Sequence, residues 1–206
     1  MHVAVFGATG GTGQQVVRQA LAAGHRVTAL VRNPDKLEVR HENLVVVVGD
    51  VLDTTKVEET LANADAVVVS LGNTPNNPEY IVSKGTQVIV DAMHRLGRPK
   101  RIVVVSSLGV GESKDQVPLA FKALMKTILR KPMEDKERQE AIIKASGLDW
   151  TIVRPGGLTD GPATGRYRSG LDPKIVAGQV SRADVAAFVL QQLTDNTYLH
   201  KAPAIT

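Results

Sequence analysis

The sequence predicts an α/β chain, a doubly wound parallel sheet with helices on both faces. Three observations predict it. Short β-branched runs alternate with longer amphipathic stretches along all 206 residues. The short runs are near-continuously apolar, as are strands covered on both faces of a parallel sheet. No repeat, low-complexity segment or composition break divides the chain, so residues 1–206 read as a single domain.

The elements follow in order. Strands are predicted at Val3–Phe6, Arg26–Val31, Leu44–Val48, Ala66–Ser70, Arg101–Ser106 and Trp150–Val153. Helices are predicted between them at Thr12–Ala23, Thr54–Leu61, Ile81–Leu96 and Pro118–Ser146. The last is expected to break near Pro132, because proline removes a helical hydrogen bond. A final helix is expected from Arg182 to Leu193, with Ser181 as its N-cap. The polar stretch Asn73–Pro78 reads as a mobile turn. Beyond about Gly156 the chain is richer in Gly and Pro, and it is expected to cap the carboxyl edge of the sheet, where such folds bind ligands.

Composition narrows the function. Apolar residues make up 43% and charged residues 22%, which excludes a disordered chain. With no cysteine, disulfides, zinc–thiolate sites and cysteine nucleophiles are excluded. The five histidines, at 2, 25, 41, 94 and 200, form no metal-binding spacing with carboxylates, so no metal is expected. No apolar run approaches the roughly 20 residues of a membrane span. Met1–Phe6 enters a strand-like run with no basic n-region, so no signal peptide and a cytoplasmic location are expected. The net charge is +4, but aromatic residues are only 3%, few platforms for nucleic-acid bases. A basic cleft for a small anionic ligand is the expectation, with no nucleic-acid partner.

Phe6-Gly7-Ala8-Thr9-Gly10-Gly11-Thr12-Gly13 supplies that cleft with a motif. It follows the first strand and opens the first helix, inside one strand–helix–strand unit, the context a dinucleotide fingerprint requires. Gly7 allows the tight turn, Gly10 lets backbone approach a pyrophosphate, and Gly13 permits close helix–strand packing. The free amides of the helix start, including that of Gly11, then face the anion. A NAD-preferring site would end the second strand on an acid. This chain has Arg32 there, suited to a 2′-phosphate, with Asp35 lying beyond Pro34 in the loop. NADPH is therefore the expected cofactor. Gly49-Asp50-Val51 ends the third strand. Asp50 suits either the adenine amino group or a turn, and Val51 the adenine face.

Gly7–Gly13, Arg32, Gly49-Asp50-Val51, Leu71-Gly72, Ser106-Ser107 and Ser146–Gly157 arrive in an order that resembles a known family. It is that of the atypical short-chain dehydrogenase/reductase proteins with an NAD(P)-binding, NmrA-like domain. Within it, length and motif placement look most like the biliverdin-IXβ and NADPH-dependent flavin reductases. The resemblance spans almost the whole chain and implies a Rossmann-like fold and a monomer. It implies that Gly7, Thr9, Gly10 and Thr12 hold the pyrophosphate, Arg32 the 2′-phosphate, and Asp50 and Val51 the adenine. Leu71, Gly72, Ser106 and Pro155 would border the cofactor, and Ser107 would sit beside the nicotinamide as the catalytic serine. Where the mammalian-type reductases carry a histidine and a Pro-Pro-His segment, this chain has Lys136 and Arg154-Pro155-Gly156. Both departures, at Lys136 and Gly156, fall in the substrate pocket, whose face would come largely from residues 107–136 and 154–180.

The usual short-chain dehydrogenase acid/base pair is Tyr-x-x-x-Lys. Tyr80–Lys84 matches the pattern but precedes the Ser106-Ser107 strand instead of following it, so it reads as a decoy. Pro132 stands where the tyrosine one turn before Lys136 would be. What remains is hydride transfer to a flavin (FMN or riboflavin) or a biliverdin-type linear tetrapyrrole, which needs little proton help. The alternative is an NADP(H)-binding redox sensor or assembly factor without turnover. Phe121, Leu124, Met125 and Ile128 share a helical face, with Lys122, Lys126 and Arg130 on another, for core packing, a lid or a partner surface. Lys136 and Glu140 also have the spacing of a surface ion pair, and Arg154, Arg166, Arg168 and Lys174 are candidates for a positive cleft.

Overall fold

A computed structural model describes residues 1–74, 77 and 79–206, apart from the side chains of residues 125 and 126. Part of the Asn73–Pro78 turn, and the side chains of Met125 and Lys126 in the helical stripe, therefore lie outside the described residues.

Six parallel strands form the body of the sheet: β1 (His2–Phe6), β2 (Arg26–Val31), β3 (Leu44–Val48), β4 (Ala66–Val69), β5 (Arg101–Val105) and β6 (Asp149–Pro155). The helices between them are α1 (Gly11–Ala22), α2 (Thr54–Leu61), α3 (Ile81–Leu96), α4 (Leu119–Lys126) and α5 (Arg130–Ala145). After β6 come β7 (Gly157–Thr159), β8 (Ser169–Gly170), β9 (Gln179–Ser181), α6 (Arg182–Gln191) and β10 (Ala204–Ile205). The eight-stranded sheet has the order β3-β2-β1-β4-β5-β6-β10-β8, and β7 pairs with β9 in a separate parallel ribbon. The chain thus forms the expected doubly wound α/β fold, with β8 antiparallel to its neighbour β10.

Side-chain alternation divides the core. Val3 and Val5 of β1 face one layer with Val16 and Val17 of α1 and Val185 and Val189 of α6. Ala4 and Phe6 face the other, with Val57 of α2, Ile89 of α3 and Ile143 of α5. Strands with both faces covered account for the unbroken apolar runs.

Two expectations need correction. The long helical stretch does break near Pro132, at Thr127–Leu129 between α4 and α5, but not because of the proline. Pro132 lies in the first turn of α5, where its missing N–H would have had no partner. The apolar face of α4 is also only partly packed. Phe121 packs against the cluster of Leu108, Val117 and Ile175, whereas Leu119 is 83% exposed, and Ile128, in the break after α4, is 78% exposed. Lys122 donates to Asp115 at 2.7 Å.

Candidate dinucleotide site

The strand order reverses between β1 and β4, the place where an open α/β sheet leaves a crevice at its carboxyl edge. A cavity of about 910 Å³ lies there. It is lined by the ends of the first six strands, by Lys136 of α5 and by Arg182 of α6.

The glycine loop forms its floor, with Gly7, Thr9, Gly10, Gly11 and Thr12 all on the lining. Gly7 has φ +85°, and a Cβ there would lie 2.3 Å from the Ser70 carbonyl oxygen. Gly13 is not on the lining but supports it from behind, because a Cβ at Gly13 would lie 2.1 Å from the Gly7 carbonyl oxygen. Helix α1 starts from Gly10 with no side-chain cap and no acid in its first turn. Its first amides are therefore left for an anion. Helix α3 opens at the same edge, but there Asp135 accepts from the amides of Val82 at 3.0 Å and Ser83 at 2.8 Å. One helix start is filled from within the protein and the other is open to the cavity.

At the end of β2, Arg32, Asn33 and Lys36 line the cavity while Asp35 does not. The Asn33 side chain accepts from the Asp35 amide at 2.9 Å and turns the chain away. At the end of β3, Asp50 accepts from the Leu52 amide at 2.9 Å, the turn role, and also lines the cavity. Val51 and Leu71 cover Gly85 of α3, where a Cβ would lie 2.7 Å from Val51 Cγ1 and 3.1 Å from Leu71 Cδ1. Leu71 and Gly72 continue the wall.

Ser106, Ser107, Lys136, Pro155 and Gly156 line the far part, at the ends of β5 and β6. The buried Ser106 hydroxyl donates to Glu140 Oε1 at 2.7 Å. The half-buried Ser107 hydroxyl donates to the Leu108 carbonyl at 3.0 Å. Lys136 Nζ donates to the Val105 carbonyl at 3.1 Å. Burial pushes the Lys136 pKa down to about 8, against the opposing pull of Glu140 and Asp135.

The structure therefore brings every expected site residue except Gly13 onto one cavity. Other expectations fail. Glu140 is no surface partner of Lys136, because it is buried against Arg154, whose Nε donates to its Oε1 at 2.9 Å. Arg154 does not reach the cleft either. Its side chain is 6% exposed and binds Glu140 and Glu112, each at 2.5 Å. Burial opposes the Arg154 charge, but the two carboxylates outweigh it and raise the pKa. Arg166, Arg168 and Lys174 are not on the lining, nor is any described side chain of α4. Tyr80 and Lys84 lie off it, in keeping with the reading of that pattern as a decoy. Tyr80 donates to Glu134 at 3.4 Å beneath the Arg138 guanidinium.

Arg182 was not expected on the lining. Arg182 had one sequence signal, a cation at the first position of a helix, where the macrodipole disfavours it. No group of three or more potential metal ligands occurs among the described residues, and no helix there is long and apolar enough to cross a membrane.

Residues 7–196 match the model of a family described as NAD(P)H-binding. The chain belongs to this family. An uncharacterized chloroplastic protein of Arabidopsis thaliana is 32% identical over 200 residues, spanning 93% of this chain and 71% of its own. The reductase pytE of Aspergillus terreus is 29% identical over 256 residues, spanning 99% and 97%. Among solved structures, an anaerobillin reductase of Escherichia coli O157:H7 superposes with a TM-score of 0.84 at 27% identity, covering 100% of this chain and 96% of its own. The family thus agrees with the glycine loop and the open helix start.

Proposed function

We propose that the protein is an NADPH-dependent reductase of flat conjugated acceptors, flavins such as FMN and riboflavin and biliverdin-type linear tetrapyrroles. The observation that carries this reading is one continuous cavity with an open helix start and Arg32 toward one end and Ser107 and Lys136 toward the other. The reductase relatives support the reaction class.

The residues present fit a dinucleotide phosphate. The amides following Gly10 would hold the diphosphate, Arg32 the 2′-phosphate, and Asp50 and Val51 the adenine. Leu71, Gly72, Ser106 and Pro155 would border the nicotinamide half. When bound, the nicotinamide supplies the hydride. Ser107 would orient the reacting end, and Lys136 holds a proton at Nζ for an acceptor that takes one up with the hydride. Gly156 lines the pocket beside them and packs on Gly178, whose carbonyl oxygen would lie 2.7 Å from a Cβ there. Residues 107–136 and 154–180 would supply the face that positions the acceptor.

Initial rates of NADPH oxidation with FMN, riboflavin and biliverdin isomers, beside NADH controls, test this. Turnover with at least one acceptor, selective for NADPH, is expected. Saturable NADPH binding with no turnover of any of them defeats the reductase reading in favour of a sensor or assembly factor.

A further inference from the structure

We propose that Arg182 is a ligand for the dinucleotide's diphosphate, held ready beside the glycine loop by Asp160. This rests on the cofactor reading above and adds to it a residue that the glycine fingerprint does not contain.

The backbone places the arginine. In the β7–β9 ribbon Thr159 lies opposite Ser181, so the next residues, Asp160 and Arg182, emerge side by side. Arg182 Nη1 donates to Asp160 Oδ1 at 2.6 Å. From the start of α6 the side chain crosses to the start of α1. A Cβ on Gly11 would lie 2.6 Å from Arg182 Cδ and 2.8 Å from Nε. Gly11 is thus the cradle for this arginine, and the guanidinium lies against the helix start whose amides are uncapped.

The charges of the cavity match the anion. Asp50 is the one carboxylate among its described lining residues, against Arg32, Lys36, Lys136 and Arg182. Arg32 and Lys36 lie at the end of β2 and Lys136 at the end of β5, which leaves Arg182 as the cation at the glycine loop. The Asp160 contact is weak, because the carboxylate is 86% exposed and solvated. A diphosphate offers the planar fork a bidentate partner with amides already on its other side, so it displaces Asp160. Asp160 keeps the long side chain near its working position until then.

A diphosphate ligand differs from a 2′-phosphate ligand in what its loss does. Calorimetric titration with NADP+ and NAD+ of the wild type and the variants R182Q, R182K, G11A and R32Q separates them. R182Q is expected to weaken both dinucleotides by the same factor, roughly tenfold, the size of one charge-assisted hydrogen bond. R182K is expected to lose part of that affinity. G11A, whose methyl group displaces the arginine, is expected to lose a similar factor, and G11A/R182Q no more than either alone. R32Q is expected to weaken NADP+ only. Wild-type affinity for both ligands in R182Q and R182K overturns the proposal, as does a loss confined to NADP+. A wild-type protein that binds neither dinucleotide defeats the cofactor reading itself, which is a different failure from the loss of Arg182.

Discussion

Lys136 is the residue whose environment departs most from what a surface lysine meets. It lines the cavity, donates to the Val105 carbonyl, and burial holds its pKa at about 8. On the proposed role, with protonated Lys136 as the proton donor, activity should be present below that value and lost as pH rises through it. For an acceptor that takes up a proton with the hydride, kcat/KM should be flat below about pH 8 and fall above it. Lys136→Gln should remove the limb and lower the plateau by roughly 10²-fold, the low end of general-acid contributions. A wild-type pH–rate limb that survives in Lys136→Gln would assign the proton to another group. Residues of this kind differ in how far the sequence shows them. Gly10 and Gly13 pack on Gly7 within one turn of chain, so the spacing of the three is readable, whereas the approach of Gly7 to the Ser70 carbonyl is not. Arg182 acts on Gly11 from the far end of the chain, through a ribbon no local pattern announces.

At the scale of elements, α5 ties the site together. Asp135 caps α3, Lys136 faces the cavity, and Glu140 joins Ser106 of β5's end to Arg154 of β6. Glu140 and Arg154 are 2% and 6% exposed at their side chains. Removing one partner of such a buried pair strands the other charge. Glu140→Gln should lower stability by about 3 kcal/mol, because Glu112 still meets Arg154 and softens the loss. Replacing both residues, Glu140→Leu with Arg154→Met, should cost less than Glu140→Gln alone. Denaturant midpoints of the three variants check this, and a double variant weaker than the single one overturns it. The sequence does not reveal this arrangement. A buried Glu–Arg pair separated by a helix end and a loop has the composition of any surface pair, and the i,i+4 relation to Lys136 points the wrong way. The helices themselves are readable because their apolar faces recur over several turns. Strands β8 and β10 contain two residues each, too short for any period to show, and they join the sheet only because the C-terminal segment returns beside β6.

The whole molecule is built so that one ligand touches both halves of the sheet. The β2 and β3 ends lie on one side of the reversal point, the β4, β5 and β6 ends on the other, and the cavity spans them. A dinucleotide seated along it bridges segments that unfolding separates, so its binding adds to the stability of the folded chain by mass action. At a free concentration about 100 times its Kd, NADPH should add about 2.7 kcal/mol. For a chain of this length that corresponds to a rise in Tm of roughly 5–10 °C. NADH at the same concentration lacks the 2′-phosphate that Arg32 would meet and should raise Tm by less. Arg32→Gln should remove the difference between the two cofactors without removing the shift itself, since the uncapped start of α1 remains. Melting curves with each cofactor, on wild type and Arg32→Gln, decide the matter. Equal shifts from NADPH and NADH in the wild type would take the selectivity away from Arg32. No shift from either would mean that the crevice at the reversal point takes a different anion.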